Sequence, residues 1–255
     1  MKRLSFVLIS LLVVASLILT ACQSASTGAS DKVKVRVATD ATFPPFEMVD
    51  ENTKELTGFD VELMKAIAEK ANLEVEFVNT GFDSVLAGIS ECQYELAIAA
   101  ITITEERKAT MTFSDPYINA GQIVTVQTAN SEIKSKDDLT GKKIGAQINT
   151  TGAIEAAAIA GAELKTYDSY DLAFLDLANG QIDAVIADYP TTLAFLAVNP
   201  DNLKTVGDVF TDENYGIAIC KTNADDLLPA INDALKALKA DGTIGELEQK
   251  YLAGQ

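Results

Sequence analysis

The chain has 255 residues, 48% of them hydrophobic, and sets 20 Lys and Arg against 37 Asp and Glu for a formal charge of −17. That acidity excludes nucleic acid as a partner, because phosphate binding needs a basic surface. The lack of any histidine excludes Ser-His-Asp and Cys-His catalysis and every histidine-ligated metal site, and no cofactor is expected.

Lys2 and Arg3 precede an apolar run from Leu4 to Ile18, closed by Leu19-Thr20-Ala21-Cys22. This reads as a secretory leader over residues 1–21, an uncleaved anchor helix being the alternative. The small-small-Cys ending resembles the bacterial lipobox, which implies acylation of Cys22 and an extracytoplasmic chain held to the membrane by lipid. Residues 22–32 are rich in Ser, Ala, Thr and Gly and read as a flexible tether. No second apolar span follows. Cys92 and Cys220 have no metal-ligand spacing, and both a bridge and two free thiols remain open on spacing alone.

Val33–Ala38 alternates and reads as a strand. A turn with Pro44-Pro45 follows, then a helix from Gly58 with Asp60 as N-cap, an apolar face through Val61, Leu63, Met64, Ile67, Ala68 and Ala71, and an end at Asn72. Glu74–Val78 reads as a strand, Asp83–Glu91 as a short helix and Leu96–Ala100 as a buried strand. The βαβαβ order predicts a parallel sheet with helices on its faces. The second half alternates in the same way. It gives strand Lys142–Gln147, helix Thr151–Ala160, strand Leu164–Tyr167, a helix from Ser169 to Ala178 stopped by Asn179-Gly180, strand Ile182–Ala187, and a helix with Pro190 in its first turn. Gly216–Cys220 reads as a further strand. Two helices finish the chain, Gly242 ending the first and Thr243 with Glu246 forming a capping box for the second.

Polar groups gather where these strands end, the edge at which open α/β sheets bind ligands. After Leu96–Ala100 come Thr102 and Arg107, a hydroxyl and a guanidinium whose planar fork matches a carboxylate. Asp40 follows the first strand beside Phe43, Phe82 follows the second, and Asp188 follows Ile182–Ala187. Gln147 leads into Asn149-Thr150-Thr151-Gly152, where a helix start presents free N–H groups. Donors for a carboxylate and acceptors for an ammonium, supplied by two separate units, suit an α-amino acid.

These residues stand in motifs that resemble the bacterial solute-binding family 3, the amino-acid-binding proteins of polar amino-acid ABC importers: ATDATFPPFE (38–47), GFDVELMKAIAE (58–69), AAITITEERK (99–108), FSDPY (113–117) and NTTG (149–152). The resemblance runs from about Val33 to the C-terminus. It implies an α/β, two-lobed periplasmic-binding-protein fold of type II, with a ligand cleft between lobes joined by a two-strand hinge. Residues 33–118 plus 216–255 would form lobe 1, and 119–215 lobe 2. It also implies that Arg107 clamps the ligand carboxylate with the N–H and hydroxyl of Thr151, while Thr102, the Ala100 carbonyl and Asp188 meet the ammonium. Phe43 and Phe82 would sandwich the side chain, Asp40 would meet its far end, and Gln147 belongs to the same set. Ala100 and Asn149 stand where the family often has glycine. A Cys92–Cys220 disulfide follows from the antiparallel neighbours that this fold places beside each other.

Asp40 and two aromatic faces favour a cationic or amide side chain. The expected ligand is a free basic L-amino acid, arginine first, then lysine or ornithine, with glutamine as rival. The expected partner is a membrane permease, met by a monomer that closes about its hinge. Two other classes compete: a cyclohexadienyl-dehydratase-like enzyme using Glu47 or Glu105 as general acid, and the sensor module of a receptor.

Overall fold

The computed structural model describes residues 32–198 and 200–253. The expected leader, Cys22 and the tether as far as residue 31 lie outside the described residues. In chain order the elements are β1 (Val33–Thr39), β2 (Thr42–Phe43), β3 (Glu47–Val49), β4 (Leu56–Thr57), α1 (Phe59–Lys70), β5 (Leu73–Asn79), α2 (Phe82–Ser90), β6 (Leu96–Ala97), α3 (Glu105–Lys108), β7 (Thr112–Phe113) and β8 (Ile118–Ala120). There follow β9 (Gln122–Gln127), β10 (Lys143–Gln147), α4 (Thr151–Ala157), β11 (Glu163–Tyr167), α5 (Tyr170–Ala178), β12 (Ala184–Asp188), α6 (Tyr189–Val198) and β13 (Leu203–Val206). The chain closes with β14 (Glu213–Tyr215), β15 (Ala218–Ile219), α7 (Ala224–Ala240) and α8 (Thr243–Tyr251).

Two five-stranded sheets organise these elements, in the orders β5-β1-β6-β15-β7 and β11-β10-β12-β9-β13. In each, three strands are parallel and joined by helices: β1 pairs with β5 and β6, and β10 with β11 and β12. The remaining pairings, of β9 with β12 and β13 and of β15 with β6 and β7, are antiparallel. Between the sheets lies an antiparallel ribbon in which Ile118 faces Tyr215 and Ala120 faces Glu213. The chain leaves the first sheet through β8, builds the second, and returns through β14.

The apolar pattern explains the layers. Val35 and Val37, two apart on β1, share a buried cluster with Leu63, Met64 and Ile67 of α1 and with Ile231 and Leu235 of α7. Ala38, on the other face, joins Val85 and Ile89 of α2. Burial of each large aliphatic side chain contributes roughly 1.5–3 kcal/mol. Cys92, just after α2, is bridged to Cys220, which follows β15; their Cα atoms are 5.1 Å apart.

Several expected details differ. The strand expected to reach Ala100 ends at Ala97, because the chain bends away and Ala100 turns left-handed at φ 46°. The strands expected over Ile182–Ala187 and Gly216–Cys220 run over Ala184–Asp188 and Ala218–Ile219, and the Thr151 helix stops at Ala157. Asp60 is not an N-cap: Gly58 holds that position, and the Asp60 carboxylate is turned inward to accept from the Ala100 N–H and the Tyr117 hydroxyl, both at 2.7 Å. Thr243 and Glu246 form no capping box. Gly242 is the N-cap at φ 89°, and the Thr243 hydroxyl donates backward to Asp241 at 2.7 Å. Ser169 is at its N-cap position but makes no capping bond. Asn72 and Gly180 end their helices left-handed, at φ 56° and 69°.

Candidate functional site

A cavity of about 290 Å³, its mouth included, is lined by Asp40, Phe43, Glu47, Phe82, Ala99, Ala100, Thr102, Gln147, Thr150, Thr151 and Asp188. All the expected site residues except Arg107 line it. They arrive there by topology. Asp40 follows β1, Ala100 and Thr102 follow β6, Gln147 and Asp188 are the last residues of β10 and β12, and Thr150 and Thr151 begin α4. The two sheets therefore present their strand ends to one space.

Arg107 stands beside the cavity rather than in its lining. It is buried, and its helix start is capped by the Thr104 hydroxyl, which accepts from the Arg107 N–H. The guanidinium donates to the Thr102 carbonyl at 2.8 Å and, across to the other sheet's side, to the Asn149 carbonyl at 3.0 Å. It also lies 5.5 Å from the Phe82 ring centroid, within cation–π range. Two of its five N–H donors are thus engaged. Burial lowers its pKa, opposed by the nearby charges of Asp188 and Glu213.

Ala100 and Asn149 explain the glycines that the family resemblance places at those positions. Both are left-handed, at φ 46° and 62°, a conformation that Asn tolerates and Ala reaches at a cost of about 1–2 kcal/mol. Held this way, Ala100 gives its N–H to Asp60, and Asn149 turns its carbonyl toward Arg107.

The acids dominate the electrostatics. Asp40 accepts from the Phe82 N–H at 3.1 Å, the Gln147 amide at 2.8 Å and the Thr42 hydroxyl at 2.9 Å. Burial raises its pKa in spite of these bonds. Gln147 thereby joins the second sheet to the first. Asp188 accepts from the Tyr215 hydroxyl at 2.6 Å; burial first, then the Glu213 charge, raise it to about 7. Asp60 is raised by burial to about 6.

Glu47 is a residue that the sequence marks only as part of a motif and as the acid of the rival enzyme. It is fully buried and lines the cavity. Among the described residues no donor reaches either of its oxygens or Oδ1 of Asp60. Burial, then the adjacent Asp60 carboxylate, push Glu47 well above the usual carboxylate range. A proton held between the two carboxyl groups joins one oxygen of each and leaves the second Glu47 oxygen without a donor. The signal in the sequence is an acid closing the apolar run Phe43-Pro44-Pro45-Phe46. Thr150 lines the cavity as part of the helix start marked in the sequence, whereas Glu213 and Tyr215, which bond to Thr102, Thr151 and Asp188, are not expected there; Glu213 lies in the polar run Thr211-Asp212-Glu213-Asn214, which carries no such contrast.

The buried charged groups among the described residues are the carboxyls of Asp40, Glu47, Asp60, Asp188 and Glu213 and a single cation, Arg107. Buried charge is costly unless matched. A positive group entering this cavity would relieve the imbalance.

Two α/β layers, a crossing ribbon and a polar cavity at facing strand ends define a two-lobed periplasmic-type binding protein. The chain belongs to the bacterial extracellular solute-binding proteins, family 3, whose family model matches residues 35–254. The solved structure of an ancestral arginine-binding protein bound to arginine superposes with a TM-score of 0.83 at 42% identity, covering 88% of this chain and 100% of that one. The ABC transporter arginine-binding protein 1 of Escherichia coli (strain K12) is 36% identical over 231 residues, 88% of this chain and 93% of that protein. A probable histidine-binding protein of Campylobacter jejuni is 31% identical over 241 residues, 92% of this chain and 93% of that protein.

Proposed function

We propose that this chain is the substrate-binding component of an ABC importer for basic amino acids, with arginine preferred over lysine and ornithine. The observation that carries this reading is the excess of buried carboxyl groups around the cavity, with an oxygen of Glu47 that no donor reaches among the described residues. A guanidinium brings five donors and one positive charge to such a place, whereas a glutamine amide brings two donors and no charge. The free donors of Arg107 take the ligand carboxylate. Asp188, Thr102 and the Ala100 carbonyl take its ammonium. Phe43 and Phe82 cover the stem, and Asp40, Glu47 and Gln147 meet the far group.

In this reading residues 33–118 with 216–255 form one lobe and 119–215 the other, and closure about β8 and β14 buries the ligand. The chain acts as a monomer outside the cytoplasm, anchored through an acylated Cys22, and hands its ligand to a membrane permease. Among the described residues no helix is long and apolar enough to cross a membrane.

The raised carboxyl of Glu47 supports a second reading, a general acid that dehydrates a small carboxylic acid. Glu105, the other candidate acid, is exposed and paired with Lys108 at 2.8 Å, and serves this reading poorly. Thermal unfolding against a panel of amino acids separates the two readings. Arginine is expected to raise the melting temperature most, since a ligand of the folded state stabilises it. No shift with any basic amino acid, together with product formed from a prephenate-like acid, would replace the transport reading with the enzyme.

A further inference from the structure

Glu213, on the crossing strand β14, is buried, and its hydrogen bonds reach both halves of the molecule. Its Oε2 accepts from the Thr102 hydroxyl at 2.8 Å and from the Thr151 hydroxyl at 2.7 Å. Its Oε1 accepts from the Thr211 hydroxyl at 2.7 Å. Thr102 follows the first sheet and bridges to Tyr215; Thr151 begins α4, which follows β10 of the second sheet. One oxygen on the ribbon is thus tied to one residue from each side. Thr102 and Thr151 line the ligand cavity, and with Glu213 they also line an open depression on its other side. Thr102 and Thr151 therefore border both spaces, and Glu213 holds them from the depression.

A hydroxyl has one proton. With those protons directed at Glu213, Thr102 and Thr151 turn only lone pairs toward other partners. The Gln122 amide already donates to the Thr151 oxygen at 3.1 Å. We propose that Glu213 is a positioning residue for ligand binding: it commits the protons of Thr102 and Thr151 to itself, so that both hydroxyls act only as acceptors toward the ligand, and it latches the two halves through one shared oxygen. The proposal rests on the reading that an amino acid binds in this cavity, and it refines it. The Thr151 hydroxyl is then no donor to the ligand carboxylate, which is left to Arg107 and backbone N–H groups. Thr102 becomes an acceptor matched to an ammonium.

The test measures arginine affinity and dissociation rate for the parent chain and for Glu213→Leu, Thr102→Val, Thr102→Ser and the double variant Glu213→Leu/Thr102→Val. Glu213→Leu removes the oxygen that accepts from Thr102 and Thr151 and frees both hydroxyl protons. Glu213→Leu and Thr102→Val are each expected to weaken binding by about tenfold or more, chiefly through faster dissociation. Thr102→Ser keeps the hydroxyl and should bind more tightly than Thr102→Val, and the double variant should lose less than the sum of the singles, since both break one unit. Additive losses, or a Glu213→Leu affinity within about twofold of the parent, would overturn the proposal. Should Glu213→Leu fail to fold, equal affinities for Thr102→Ser and Thr102→Val would overturn it as well. A parent chain that binds no amino acid refutes the functional reading and the proposal with it; a binding parent with unaffected variants refutes the proposal alone.

Discussion

Around the cavity, Arg107, Thr102, Thr151 and Glu213 hold one another and the Asn149 carbonyl in hydrogen bonds of 3.0 Å or less, whereas Glu47 is left with an oxygen that no donor reaches among the described residues. The first set is a finished framework. Its side chains are already held in place by bonds within the protein, so it orients a ligand at little further ordering cost. The second set is incomplete. Buried acceptors without donors cost about 1–3 kcal/mol each, and a ligand that supplies the donors recovers that. Under the proposed reading, the finished set recognises the amino-acid backbone and the incomplete one chooses among side chains.

The largest expected effect attacks the finished set. Arg107→Ala should weaken arginine binding by more than about a hundredfold, because it strips the only buried cation among the described residues from a group of carboxylates. Calorimetry on the folded variant checks this, and an affinity close to the parent's would remove Arg107 from the site.

A smaller effect distinguishes the sets by pH. Asp188 and Asp60 are raised to about 7 and about 6 from an ordinary 3.8. Between the ordinary and raised values the ligand-free folded state holds more protons than the unfolded state. These groups therefore make the free protein less stable as pH rises from about 4 to 7. A bound ammonium favours ionised Asp188, so arginine binding should release protons and weaken as pH falls below 7, by up to about tenfold per unit for each carboxyl that must ionise. Titration at pH 5, 6 and 7.5 measures it, and a flat profile would mean that Asp188 does not face the ligand's charge.

The smallest effect is on the backbone that frames both sets. Ala100→Gly removes a Cβ from a left-handed residue and should stabilise the ligand-free protein by about 0.5–1 kcal/mol, the strain relieved being larger than the chain entropy added. A fall in melting temperature would show that Ala100 carries no strain.

The residues legible in the sequence are those that follow apolar strands. Asp40, Ala100, Gln147 and Asp188 stand out because an apolar run ends at each, and the strand edge is where such sheets bind. Residues whose partners lie far along the chain are concealed. Asp60 looks like a helix cap because acids are equally at home at the cap and in the first turn; the Ala100 N–H and the Tyr117 hydroxyl decide between them. Thr243 looks like a cap for a similar reason, yet its hydroxyl is taken by Asp241. Glu213 sits in a polar connection whose letters single out no residue, and only its place on the ribbon brings Thr102 and Thr151 to it. The left-handed turns at Ala100 and Asn149 leave no mark in the two residue types themselves; only the family resemblance, which places glycine there, points to them.

If buried negative charge selects the ligand's side chain, arginine and citrulline should be told apart sharply. The two have nearly the same size and shape, but citrulline carries a neutral urea group in place of the guanidinium. Titration of both into the same protein at pH 7.5 should show arginine tighter by about a hundredfold or more, as expected for a charge-assisted partner to buried carboxylates. Equal affinities, or tighter binding of citrulline, would mean that the buried carboxyl groups do not choose the ligand.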